Sequence, residues 1–220
     1  MKTKTQTFIF ILFFASISYS QKIGFGVIDI DSNQYNTVII GKQEWMSQNL
    51  NTSKFRNGDT IMEAKSEEEW INAAESGKPA WCYANNDVSN KEKYGKLYNW
   101  YAVNDPRGLS PEGWHIASEE EFIQMSKFLG NESTVGVSLK SDKGWGSYGY
   151  GTNSSGFSGL PGGQRNKNKF SLVGQLGNWW SSTKGSANHA ISFGVGTFVD
   201  VLSSGESEMS TGESVRCVRN

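Results

Sequence analysis

Two histidines, His115 and His189, and two cysteines, Cys82 and Cys217, are all that this 220-residue chain has of those residue types. Bases, nucleophiles and metal centres are readily built from such side chains, but only at particular spacings. Two histidines one helical turn apart share a metal; here they stand far apart, with no His-x3-His spacing. A serine nucleophile on a strained Gly-x-Ser-x-Gly elbow needs a base beside it, and no such elbow accompanies either histidine. Phosphate-cradling fingerprints are absent too, because Gly149-Tyr150-Gly151 and Gly162-Gly163 lack the strand-to-helix setting. His115, between Trp114 and a helix start, reads as a hydrogen-bonded structural residue. His189 fits either the edge of a ligand site or a polar strand position. The run Glu119-Glu120-Glu121 behind Ser118 suits the positive end of a helix better than a metal, so no metal ligand is assigned. Asn85, Asn86, Asp87 and Asn90 offer oxygen atoms that could hold a structural calcium ion, without the pattern of an EF-hand.

The stretch Gly177-Asn178-Trp179-Trp180-Ser181-Ser182-Thr183 holds the other chemistry-bearing residues. Adjacent tryptophans in a strand point to opposite faces. In one reading both are structural: one fills the core, and the other covers the Gly-rich segment 144–163. In the other, an indole faces the loops beside Asn178, Arg165 and Tyr148, with His189 near by. An indole face with amide and guanidinium neighbours suits a sugar or a peptide. The expected ligand-binding set is therefore Trp180, Trp179, Asn178, Arg165, Tyr148 and His189, with no catalytic residue.

The elements that must position this set follow from periodicity. Residues 27–46 read as β structure, with Val38-Ile39-Ile40 β-branched and Gly41-Lys42 a turn. Ser66 with Glu69, and Ser118 with Glu121, are capping boxes that open two helices. The first has Trp70, Ile71 and Ala74 on its apolar face and stops at Gly77 and Pro79; the second buries Phe122, Met125, Phe128 and Leu129 and ends at Gly130. Trp81-Cys82-Tyr83 reads as a buried strand. Leu97, Trp100, Tyr101 and Asn104 recur at helical spacing, so 94–104 is expected to be helical. Glycines and aromatics alternate through 144–163, too rich in aromatics for a solvated tail, so ordered loops are expected. From residue 170 short apolar alternations predict an antiparallel sheet.

The two ends of the chain differ in character. Lys2 and Lys4 precede the apolar run Phe8–Ala15, and Ser18-Tyr19-Ser20 supplies a small-x-small cleavage site, so residues 1–20 are expected to be a secretory signal peptide. The run is shorter than the roughly 20 residues that span a bilayer. With 21 Lys and Arg against 22 Asp and Glu the chain is close to neutral and has no basic block, which disfavours nucleic acid as a partner. In an oxidising compartment Cys82 and Cys217 suggest one disulfide, worth about 4–5 kcal/mol for so long a loop; two separate buried thiols are the alternative.

Several blocks together resemble one family. They are Thr37–Leu50 (TVIIGKQEWMSQNL), Tyr94–Val103 (YGKLYNWYAV), Gly113–Ser118 (GWHIAS), Gly156–Asn166 (GFSGLPGGQRN), the GNWWSST stretch, and Ser214–Arg219 (SVRCVR). In this order they resemble the Fibrobacter succinogenes major paralogous domain, from about residue 27 to the C-terminus. That family is in turn similar to the formylglycine-generating version of the C-type-lectin-like fold. The resemblance implies an α+β, C-type-lectin-like fold, with two main helices packed on short twisted antiparallel sheets and long ordered loops on one side. Many members carry Cys where Ser110 stands here, which leaves Cys82 as the one possible partner of Cys217. Formylglycine formation needs two thiolates on copper in the C-terminal part, where this chain has Cys217 alone; the related iron enzymes need a histidine cluster that is missing.

The expectation is thus a signal peptide, residues 1–20, followed by a single domain, residues 21–220. It is a secreted, cell-surface or periplasmic module without catalytic activity that binds glycan or protein, has no membrane span, and has no cofactor beyond a structural calcium ion. The rivals are an oxidase or other enzyme on the same fold, and a structural protein that packs against copies of itself.

Overall fold

The computed structural model describes residues 21–130, 133–146 and 149–220. The expected signal peptide and Tyr148 lie outside the described residues. The chain opens on β1 (Lys22–Ile23) and the ribbon of β2 (Val27–Ile28) with β3 (Gln34–Tyr35). The β-branched run becomes β4 (Thr37–Ile40), which returns as β5 (Gln43–Met46). The two-residue turn between them starts at Gly41, whose φ of 66° favours a residue without Cβ.

Next, β6 (Met62–Glu63) leads into α1 (Glu67–Glu75), and β7 (Ala80–Cys82) comes back parallel to β6. The Ser66 capping box forms as expected, its hydroxyl accepting from the Glu69 N–H. After α2 (Lys91–Tyr94), β8 (Leu97–Tyr98) pairs with β7 and α3 (Trp100–Val103) follows. The expected helix over 94–104 is thus corrected to a strand and one short helix. Gly95 has a φ of 67°, which interrupts a right-handed helix. The Tyr98 N–H and carbonyl both bond to Glu213, drawing that segment into a sheet, and Asn99 then caps α3. Tertiary pairing overrides a local period here.

The second half begins with β9 (Trp114–Ile116), α4 (Glu119–Leu129) and α5 (Val135–Leu139). The second capping box also forms, at Ser118 and Glu121. Phe122 and Met125 are buried on α4, whereas Phe128 is exposed. A small ribbon, β10 (Gln164–Arg165) with β11 (Phe170–Ser171), precedes the long strands β12 (Leu176–Lys184), β13 (His189–Gly196) and β14 (Val199–Glu208). The chain closes on β15 (Ser214–Val215) and β16 (Cys217–Arg219).

Two sheets carry the molecule. One has the order β1-β4-β5-β16-β9, and the other β14-β13-β12-β15. β15 joins β12 in parallel, so this second sheet is mixed rather than antiparallel as expected. The molecule is therefore a sheet-rich mixture of β and α structure with few, short helices. Among the described residues no helix is long and apolar enough to cross a membrane.

The disulfide expectation is also corrected. Cys82 and Cys217 are free, buried thiols. Cys82 packs with Trp70, Tyr94 and Leu97, while Cys217 packs in a different cluster with Met46, Tyr98 and Trp180. Burial pushes the Cys82 thiol up to about 12 and the Cys217 thiol higher still, so both are inert hydrophobic fillers.

Candidate functional site

The tryptophan pair occupies the middle of β12, with neighbours on both faces. Successive side chains point apart, and both indoles are fully buried. Trp180 enters the cluster of Tyr98, Trp100 and Val215 and donates its indole N–H to the Tyr98 carbonyl at 2.8 Å. Trp179 enters the opposite cluster, edge-on to Phe157 at 5.2 Å, and lies under Gly159 of the Gly-rich segment. One fills the core and the other supports the loops, so the structural reading holds. The reading that offers an indole to a ligand is corrected, because neither ring reaches the surface.

The rest of the expected set does not converge. Arg165 is buried, with its guanidinium 4.4 Å over the Phe170 ring and 5.7 Å over that of Trp70. Asn178 is buried on β12 beside Glu213, whose two carboxylate oxygens have no hydrogen-bond partner. Burial pushes the Glu213 carboxyl up to about 8, and the polar side chains of Ser207, Ser192 and Asn178 only partly offset this. His189 lines a separate hollow of about 290 Å³ with Glu75, Tyr101, Lys167 and Glu208. His115 has both ring nitrogens engaged, Nε2 with Glu121 and Nδ1 with Asn220, at 2.8 and 2.7 Å. It ties the C-terminus to the start of α4, which is the structural role expected of it. In the 85–90 turn, Asp87 accepts from the Ser89 N–H, and the Asn86 and Asn90 amides donate to the carbonyls of Lys65 and Ala84.

A larger concave feature than the His189 hollow lies elsewhere. A cleft of about 500 Å³ opens between the β3–β4 segment, the chain after β5, α2, and the loops at 141–143 and 153–160. Its buried floor holds Tyr35, Asn49, Asn51, Ser141 and Arg216, and its exposed rim includes Gln34, Asn36, Gln48, Lys93, Asp142 and Lys143. Its wall takes seven carboxamides, adding Asn33 and Asn153 to those of floor and rim. Gly95, between rim and floor, sits against crowded backbone. A Cβ there would stand 2.8 Å from the Leu50 carbonyl oxygen.

The floor is cross-linked by hydrogen bonds among its side chains and the backbone around it. Asn49 Oδ1 accepts from Trp179 Nε1 at 2.9 Å and from Arg216 Nε at 2.7 Å, while its Nδ2 donates to the Tyr94 carbonyl and to Ser214 Oγ. Arg216 Nη1 donates to the Met46 and Phe157 carbonyls, and Nη2 to that of Ser158. Burial lowers the Arg216 guanidinium to about 9. Lys96, just under the cleft, donates to Asn51, lies 4.3 Å over the Trp81 ring, and is lowered to about 8 by the same cause.

The rim, by contrast, keeps open valences. Among the described residues the side-chain amides of Gln34 and Asn36, and Nε2 of Gln48, enter no hydrogen bond, while Gln48 Oε1 accepts from the Asn36 N–H. Donors and acceptors on an exposed rim over a hydrogen-bonded floor suit a ligand rich in hydroxyl groups. Sequence reasoning passed over this cleft because its residues lie in six separate segments. The signal available was the density of amides in Asn33-Gln34-Tyr35-Asn36 and in Gln48-Asn49-Leu50-Asn51.

Compared with known proteins, residues 38–219 match the family model of the Fibrobacter succinogenes major domain. No curated protein and no solved structure matches the chain.

Proposed function

We propose that this chain, which belongs to the Fibrobacter succinogenes major domain family, is a non-catalytic module that binds carbohydrate in the amide-lined cleft. The observation that carries the reading is the cleft itself. About 500 Å³ lies within the size range of small-molecule sites, roughly 300–1,000 Å³. Its wall departs from the usual apolar lining, with Tyr35 and Leu160 the main carbon surface among seven amides. Each carboxamide can donate and accept at once, which matches the alternating donors and acceptors of sugar hydroxyls. Trp179 serves this site from below, since its indole N–H orients Asn49 in the floor.

The non-catalytic part of the reading rests on the histidines. His115 has no free ring nitrogen, and His189 belongs to a different hollow. We extend the reading to a C-type-lectin-like fold, supported by two longer helices packed beside short sheets and by long ordered loops. Export by the expected signal peptide would place the cleft where glycans are met, in the periplasm or at the cell surface.

The test is a glycan array probed with the purified protein and with the rim variant Asn36→Ala/Gln48→Ala. A specific hit that the variant loses, with its melting temperature unchanged, supports the reading. A hit that the rim variant binds as well as the parent moves the site away from this cleft. Repeating the array with calcium and with a chelator shows whether the 85–90 turn holds a structural ion that the binding depends on.

A further inference from the structure

The charges around the cleft are unbalanced. Lys91 is paired with Glu92 at 3.8 Å and contributes little net charge. What remains on the wall is Lys93, Lys143 and Arg216 against Asp142. This excess of positive charge sits on a chain whose overall formal charge is −1. Lys143 Nζ makes no ion pair among the described residues, and Lys93 Nζ rests over the Tyr94 ring at 4.6 Å. Both ammonium groups are exposed at the rim and free to turn toward a ligand.

Arg216 is the decisive group. Its side chain is fully buried, yet every hydrogen bond it makes goes to a neutral acceptor: one amide oxygen and three backbone carbonyls. These occupy four of its five N–H groups, leaving one on Nη2. A buried charge is ordinarily paired, because desolvation is costly. Here no carboxylate of the described residues meets it, and the field of the guanidinium is left directed at the cleft it lines. Phe157, with its ring 4.3 Å from the guanidinium carbon, and Trp179 behind it keep that charge in low dielectric, where it acts over a longer range than a surface charge would.

We propose that the cleft selects saccharides bearing an anionic substituent, a carboxylate or a sulfate ester, with Lys93 and Lys143 as its direct contacts and Arg216 as the fixed charge beneath it. This rests on the carbohydrate-binding reading of the same cleft and narrows it. Amides of the rim would hold the hydroxyl groups, and the cations would hold the acid.

The experiment compares matched neutral, uronate-bearing and sulfated members of each backbone on the array, at low and at high salt. Arg216 is too deeply built into the floor to be replaced without unfolding the site, so the variant is Lys93→Gln/Lys143→Gln, on the exposed rim. Anionic members are expected to bind at least about tenfold more tightly than their neutral counterparts. That preference should shrink as salt rises, and the double variant should bind anionic members no more tightly than it binds their neutral counterparts. The stronger of the uronate and sulfate arms identifies the source of the charge. Equal binding of neutral and anionic members overturns this inference and leaves the carbohydrate reading standing. Binding to no member overturns both.

Discussion

At the scale of single residues, burial decides what a side chain can do. The adjacent tryptophans look like a ligand platform, and each is instead the centre of its own cluster. Trp180→Ala is therefore expected to cost about 3–5 kcal/mol of stability in chemical denaturation, as other large-to-small core changes do. A variant of unchanged stability that had lost only binding would contradict this. Glu213 makes a pH-dependent contribution whose sign is fixed by its environment. Burial raises its folded-state pKa from 4.5 to about 8, so the fold holds that proton more tightly than the unfolded chain does. Its stabilising contribution is complete below about pH 4.5 and is lost as pH rises through 8. Melting temperature should fall between pH 5 and 8, and Glu213→Gln should flatten that fall and raise stability at pH 8. Lys96 acts at higher pH: its pKa, lowered by burial to about 8, makes its charge a cost that is full below pH 8 and is relieved as pH rises from 8 toward the ordinary lysine value of 10.5. The carboxylates with lowered values, Asp31 and Glu44, act below pH 5.

At the scale of elements, local signals were legible where they were self-contained. Both capping boxes formed at the residues that spell them, and Gly130 ends α4 with a φ of 106°. Ser118→Ala is expected to cost about 1 kcal/mol, read as a shift of the urea midpoint with unchanged slope; no shift would mean the cap is redundant with the His115–Glu121 contact. Signals failed where a distant strand decides. Leu97 and Tyr98 have helical neighbours in sequence but strand partners in space, at Trp81, Cys82 and Glu213. The same holds for β15, whose parallel pairing with β12 no two-residue segment can announce. The cleft was invisible for a related reason. Its floor joins Asn49 to Arg216 across 167 positions of sequence, and nothing local marks either as half of a pair.

At the scale of the whole molecule, the core of large aromatics does the work that a disulfide was expected to do. Two thiols should therefore titrate with a thiol reagent once the protein is denatured, and the native protein should react far more slowly because both are buried with raised pKa values. Absence of reactive thiol in the denatured, unreduced protein would contradict the free pair. A ligand seated in the amide-lined cleft would leave its mark on the backbone around it. The most direct measurement is backbone amide chemical-shift mapping on titration with the strongest array ligand. Perturbations are expected to cluster at residues 33–36, 47–51, 91–95 and 141–143. Perturbations gathered instead around His189 and Glu208, with the amide-lined cleft unmoved, would contradict it.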